Sequence, residues 1–191
     1  MRVKQGDRLD RVGSGWDWLG RVGLIALVVL AARVVSAQEQ TPEAKLAALG
    51  ITLPAVDKPI ANYVKVVRVG NLLYTSGHGP CGQLQPDQKG KVGSDLTIEQ
   101  GAAAARATGV CLLATLKAEL GSLSRVKRIV KVLGMVNASP AFADQPKVMN
   151  GFSDLMVAVF GDRGRHARSA VGMASLPGDM AVEIEMVVEV E

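Results

Sequence analysis

The chain predicts an α+β fold in the order ββαβαββ, a mixed sheet with both helices packed on a single face. Three observations carry this reading. Two β-rich runs meet at the dipeptide Gly70-Asn71, an apolar stripe recurs at helical spacing from Ile98 to Leu120, and the C-terminal run places an apolar residue at every second position, with Glu183, Glu185, Val187 and Glu189 between them.

Residues 38–59 read as a linker with one short helix, because Thr41 caps, Pro42 sits in the first turn and Gly50 closes it. Residues 60–191 form the domain proper. Tyr63–Val69 and Leu72–Ser76 are dense in β-branched and aromatic residues, and Gly70-Asn71 is a two-residue connection that tolerates positive φ, so they form a hairpin. After a polar loop from Gly79 to Asp95, Thr97-Ile-Glu-Gln100 has the capping-box spacing. Ile98, Ala102, Ala105, Gly109, Leu112, Leu116 and Leu120 then mark one buried helical stripe that Gly121 ends.

Val126–Val136 reads as a strand from its density of β-branched residues. A second helix runs from about Pro146 to Phe160, with Val148, Phe152, Leu155, Met156 and Val159 on one side, and stops at Gly161. Ser169–Ala174 and Ala181–Val190 are the last strands, turned by Leu176-Pro-Gly-Asp179. In the final one Val182, Ile184, Met186, Val188 and Val190 share one face, which is the period-two sign of a half-buried strand.

With 191 residues, 48% of them hydrophobic and 21% charged, the chain suits one ordinary domain plus an extension. The formal charge of +4 is concentrated at one end. Residues 1–37 hold six Lys/Arg against three Asp, so removing them from totals of 22 and 18 leaves 16 against 15. A nearly neutral body lacks the basic face that a phosphate backbone requires, and no nucleic-acid partner is expected. Residues 1–37 resemble a secretory signal: a basic, polar stretch to Arg21, an eleven-residue apolar run from Val22 to Ala32, and small residues at Val35-Ser36-Ala37. That run is shorter than the roughly 20 residues of a spanning helix, so the expectation is export to the periplasm or beyond, with no stable membrane partner. The alternatives are an uncleaved anchor, or a leader that is not translated, which would leave the chain cytoplasmic. Cys81 and Cys111 either pair in an oxidising compartment or stay apart, Cys111 as a core thiol and Cys81 in a Gly-Pro loop.

Several segments in sequence carry a resemblance to a known family: Asn71–Gly77, Arg128–Gly134, Asp144–Asn150, and Gly164–Val171 followed by Leu176-Pro177. They resemble the RidA (YjgF) family, and within it the branch labelled endoribonuclease L-PSP or chorismate mutase-like. The resemblance covers about Leu46 to Glu191. It implies a homotrimer whose sheets form a central barrel, with helices outward and three ligand sites in clefts between subunits. It also implies hydrolysis of reactive 2-imino or enamino acids to 2-keto acids and ammonia, with no cofactor and no metal.

By position, the family Arg that holds the substrate carboxylate is Arg168, and the Glu that handles the attacking water is Glu183. A guanidinium suits the first role because it forks onto a carboxylate through two parallel hydrogen bonds. A Glu near the imine carbon can orient water and shuttle a proton. The resemblance further implies Tyr63, Ser76, Gly77 and Asn150 as ligand-lining residues. Two departures stand out: Ala170 replaces a frequent Cys, and His78-Gly79 alters the loop beside the expected pocket.

Each of these residues also has a plainer reading. Arg168 with Arg163 and Arg165 is a small basic cluster that suits an anion or an ordinary loop, and Glu183 with Glu185 and Glu189 has the pattern of a solvated face. His78 and His166 read as polar loop residues unless a pocket gathers them. Three functions are compatible with these residues. They are an imine-clearing enzyme, a non-catalytic binding module for a small carboxylate-bearing ligand, and, least favoured, a ribonuclease, for which no paired His or metal cluster is evident.

Overall fold

Val182–Val190 buries every second side chain, and the rest of the molecule is arranged around that alternation. The computed structural model describes residues 40–59 and 61–191; the segment read as a secretory signal lies outside the described residues. The order is α1 (Pro42–Ala48), β1 (Val66–Val69), β2 (Leu72–Thr75), α2 (Ile98–Leu120), β3 (Val126–Asn137), α3 (Gln145–Phe160), β4 (Ala167–Met173) and β5 (Val182–Val190). The five strands form one sheet in the order β1-β2-β5-β3-β4. Only β3 and β4 are parallel, and α3 makes the crossover between them. The expected α+β architecture is what the structure shows.

Local chemistry explains the boundaries. Thr97 and Gln100 make the capping box in both directions, with Gln100 N donating to Thr97 Oγ1 at 3.2 Å and Thr97 N donating to Gln100 Oε1 at 2.9 Å. At the hairpin, Val69 pairs with Leu72 and Gly70 sits at φ +59°, the left-handed value that the first central residue of a type II′ turn requires. The first strand begins at Val66 rather than Tyr63, so Tyr63 lies before it and is exposed.

The core lies between the helices and one sheet face. Leu112, Leu113 and Leu116 of α2 and Phe152, Leu155 and Met156 of α3 are fully buried with Ile129, Val132, Ile184 and Val188 of the sheet. The segment read as a linker takes part in this core. Leu46 of α1 is 3% exposed, Ile51 and Leu53 pack beside it, and Glu43 Oε1 accepts hydrogen bonds from Leu123 N at 2.8 Å and Ser122 Oγ at 3.1 Å.

Cys81 and Cys111 are joined as a disulfide, with Cα atoms 5.6 Å apart, which settles the alternative left open by the sequence. The bond ties the loop after β2 to the middle of α2 and closes a separation of 30 residues. A loop of that size contributes about 3–4 kcal/mol in the chain-entropy account. The double substitution Cys81→Ser/Cys111→Ser is therefore expected to lower the denaturant midpoint by a corresponding amount, measured by urea unfolding; an unchanged midpoint would count against it.

Candidate functional site

The expected ligand residues fall into two groups, one along α3 and one at the exit of β2. The first group centres on Arg168. Arg168 pairs in register with Val132, a fully buried residue, so its side chain leaves the sheet on the helical side and runs along α3. There its Nη1 donates to Asn150 Oδ1 at 3.1 Å and to Ser153 Oγ at 3.0 Å, and Nη2 donates to the Pro146 carbonyl at 3.3 Å. All three acceptors are neutral. Asn150 and Ser153 stand three residues apart on α3 and thus on one face of it.

A guanidinium has five N–H donors. Nη1 makes two of the three bonds and Nη2 one, so Nε–H and one Nη2–H remain as donors that a carboxylate can take up. No Asp or Glu among the described residues is paired with Arg168. The charge is held in place and uncompensated, in a recess of about 360 Å³ lined by Asn150, Ser153, Asp154, Arg165, His166 and Arg168.

His166 completes this group. Its Nδ1 lies 2.7 Å from the Gly164 carbonyl and its Nε2 3.1 Å from Ser153 Oγ. A carbonyl oxygen only accepts, so Nδ1 carries the hydrogen and Nε2 accepts from the Ser153 hydroxyl. Partial burial holds the imidazole below its ordinary value, the Gly164 bond pulls it back up, and the Arg168 charge lowers it again. The expected three-arginine cluster is smaller than the sequence suggested. Arg163 turns away to donate to the Val126 carbonyl, and Arg165 is bridged to Asp162.

The second group gathers at the end of β2. Tyr74 pairs with Val187 and His78 with Ile184, so β2 advances four residues while β5 advances three. The extra residue is a β-bulge, and it flips the facing of the residues beyond it. His78 consequently points inward, 6% exposed, with Nδ1 donating to the Ser76 carbonyl at 2.8 Å and Nε2 accepting from Thr115 Oγ1 at 3.0 Å. It is a buried, doubly bonded residue rather than a polar loop residue. Burial holds it below its ordinary value, the Ser76 bond opposes that, and Lys65 adds to the lowering.

Gly77 instead faces the open side of the sheet against Glu183: a Cβ built there would overlap the Glu183 carboxylate. Glu183 pairs with Met135 on that open side and is half-buried. Burial raises its carboxyl above the ordinary value, and neighbouring Glu185 raises it further. A cavity of about 290 Å³ opens between α2 and this loop, lined by Tyr63, Lys65, Ser76, Gly77, His78 and the Cys81–Cys111 bond among others.

Within one chain, then, Asn150 joins Arg168, while Tyr63, Ser76 and Gly77 share the second cavity and Glu183 lies against its Gly77. Ser153 and the Pro146 carbonyl were missed as partners of the guanidinium, and His166 as the partner of Ser153. The spacing of Asn150 and Ser153 was the available signal. Among the described residues no group of three or more His, Cys, Asp or Glu is placed to hold a metal ion, and no helix is long and apolar enough to cross a membrane.

A mixed sheet with two helices on one face, Arg168 on its outer strand and a half-buried Glu183 on its central strand is an arrangement of the chorismate mutase-like fold. The chain belongs to the YjgF (RidA) family: residues 43–189 match the family model described as "YjgF/chorismate_mutase-like, putative endoribonuclease". It is 47% identical over 147 residues to protein TCP17 of Trypanosoma cruzi, covering 76% of this chain and 92% of that one. Among solved structures, it resembles a protein of unknown function from Agrobacterium tumefaciens at 43% identity and a TM-score of 0.71, over 78% of this chain and 92% of the other. A structure from Shewanella oneidensis, whose description repeats the endoribonuclease phrase of the family model, matches at 34% identity and a TM-score of 0.75, over 79% and 100%.

Proposed function

We propose that the chain is a RidA-type hydrolytic deaminase of small 2-imino and enamino acids, working as a homotrimer with its ligand between subunits. The observation that carries this is the guanidinium of Arg168, fixed by three neutral acceptors with its Nε edge and its charge left over. That edge matches a carboxylate in a two-point fork. In the reaction water adds to C2 of the imine: Glu183 takes one water proton as the C–O bond forms and returns it to the nitrogen, then carries the proton of the new hydroxyl to the same nitrogen as the C–N bond breaks, releasing ammonia and the 2-keto acid. A carboxyl raised by burial is nearer the pH at which such a shuttle works.

Two features support assembly. Arg168 leaves the sheet on its helical side and Glu183 on its open side, so a neighbouring copy is needed to bring both kinds of group to one ligand. The open side also exposes apolar residues: Val67 is 50% exposed, Tyr74 42% and Val171 39%, more than a lone soluble chain ordinarily leaves together on a sheet face. An oxidising compartment outside the cytoplasm is part of the same proposal, supported by the Cys81–Cys111 disulfide.

The test is ammonia release by the pure protein from freshly generated 2-aminoacrylate, and absence of release overturns the enzymatic reading. The separation of Arg168 from Glu183 within a chain, together with Ala170, favours a second reading as a carboxylate-binding module. Thermal stabilisation by pyruvate without turnover would select it. Gly77→Ala discriminates further. Gly77 has no positive φ and the group it would meet is a flexible carboxylate, so the fold is expected to tolerate Ala while Glu183 is displaced. Turnover should fall by about a hundredfold, as misplacement of about 1 Å does, with little change in the melting curve of the same sample.

A further inference from the structure

We infer that His166 and Ser153 form a positioning pair that couples capture of a carboxylate at Arg168 to uptake of a proton, so that the site holds its anion more tightly in mildly acid solution. The inference rests on the reading of Arg168 as the carboxylate anchor. It starts from one chain of hydrogen bonds: Gly164 carbonyl to His166 Nδ1, His166 Nε2 to Ser153 Oγ, Ser153 Oγ to Arg168 Nη1.

The direction of each bond is set by its ends. The Gly164 carbonyl and the Arg168 guanidinium have fixed roles, acceptor and donor. In the neutral ring the Ser153 hydroxyl therefore gives its hydrogen to His166 and offers a lone pair to Arg168. Protonating His166 places a second N–H donor on Ser153 Oγ, which then accepts from both cations and turns its own hydrogen outward. The recess now carries two positive charges separated by one hydroxyl, and a hydroxyl hydrogen that needs an acceptor. A carboxylate on the Nε edge answers both. It offsets the repulsion between imidazolium and guanidinium and provides oxygens beside the Ser153 hydroxyl.

The charged surroundings favour this coupling. Arg168 on β4 and Arg165 next to His166 are cationic, Asp162 is committed to Arg165, and Arg163 is turned to the Val126 carbonyl. Asp154 on α3 is the one acid lining the recess. Phe152 meets the imidazole edge-on at 5.8 Å between ring centres, which fixes the plane of the ring. Burial holds His166 below its ordinary value, the Gly164 bond opposes that, and the Arg168 charge adds to the lowering; an anion on Arg168 counters the last of these effects.

Linkage then sets the sign. A bound anion that raises the titration of His166 is itself held more tightly as pH falls, and the proton taken up on binding is the same effect read from the other side. The probe is pyruvate, ionised throughout, titrated calorimetrically into the intact protein between about pH 8 and about pH 5, in buffers of different ionisation enthalpy. The expected result is a Kd that falls about tenfold with pH and a net proton uptake on binding. His166→Gln keeps an acceptor for the Ser153 hydroxyl but cannot titrate, and should bind with a Kd that no longer varies with pH. Wild-type binding without proton uptake, or an equal pH slope in His166→Gln, overturns the inference while leaving Arg168 as the anchor. Pyruvate binding that survives Arg168→Ala, or no binding at any pH, overturns the reading beneath it and the inference with it.

Discussion

Replacing Arg168 with Ala is expected to weaken pyruvate binding by two to three orders of magnitude. A two-point fork between a guanidinium and a carboxylate comprises two charge-assisted hydrogen bonds, each worth about 1.5–3 kcal/mol; in a recess open to water both fall near the lower end, so about 3–4 kcal/mol is at stake. The neutral acceptors explain why the loss should be confined to ligand affinity. Asn150 and Ser153 sit at the edge of an open recess where water replaces the guanidinium, and no ion pair is broken. Arg168→Lys should fall between wild type and Arg168→Ala, because an ammonium keeps the charge but cannot hold three protein acceptors and present a flat edge at once. Calorimetric titration of the three proteins checks the order, and equal affinities would contradict it.

Glu183→Gln should separate chemistry from binding. Turnover of 2-aminoacrylate is expected to fall by about a hundredfold to ten-thousandfold, the range lost when a positioned acid–base group is removed. Pyruvate affinity should persist, since Glu183 does not contact Arg168. Stability should not fall either. A carboxyl raised in the folded state binds its proton more readily there than in the unfolded chain, so it favours folding at acid pH and disfavours it as pH climbs through the titration. Removing that charge at neutral pH removes a cost, and Glu183→Gln should melt no lower than wild type. A variant that loses turnover, binding and melting temperature together would point to a structural role instead.

The parts of the molecule that local chemistry determines were legible in the sequence. The Thr97–Gln100 box, the stripe of α2 and the alternation of β5 each depend on residues within a few positions of one another. The hidden parts depend on register across strands or on contacts between distant segments. Tyr63 and Lys65 have strand-like neighbours, yet pairing with β2 ends where the bulge at its exit disrupts the ladder. That bulge turns His78 inward and Gly77 outward, and no property of either residue announces it. The helix of Pro42–Ala48 looked like a linker because its core contribution is a single Leu46 and its anchor, Glu43, reaches residues 122 and 123. In the candidate site, Arg168 and Asn150 could be singled out by motif position and the structure brings them together, whereas the Ser153–His166 link requires α3 and the start of β4 to lie side by side.

The most direct test of the central claim is a crystal structure of the protein soaked with pyruvate. The carboxylate should lie on the Nε and Nη2 donors of Arg168, with Asn150, Ser153 and the Pro146 carbonyl still bonded to the guanidinium and a neighbouring copy's Ser76 and Gly77 closing the opposite side. An Arg168 guanidinium swung into solvent, or pyruvate ordered elsewhere with that edge vacant, would contradict it.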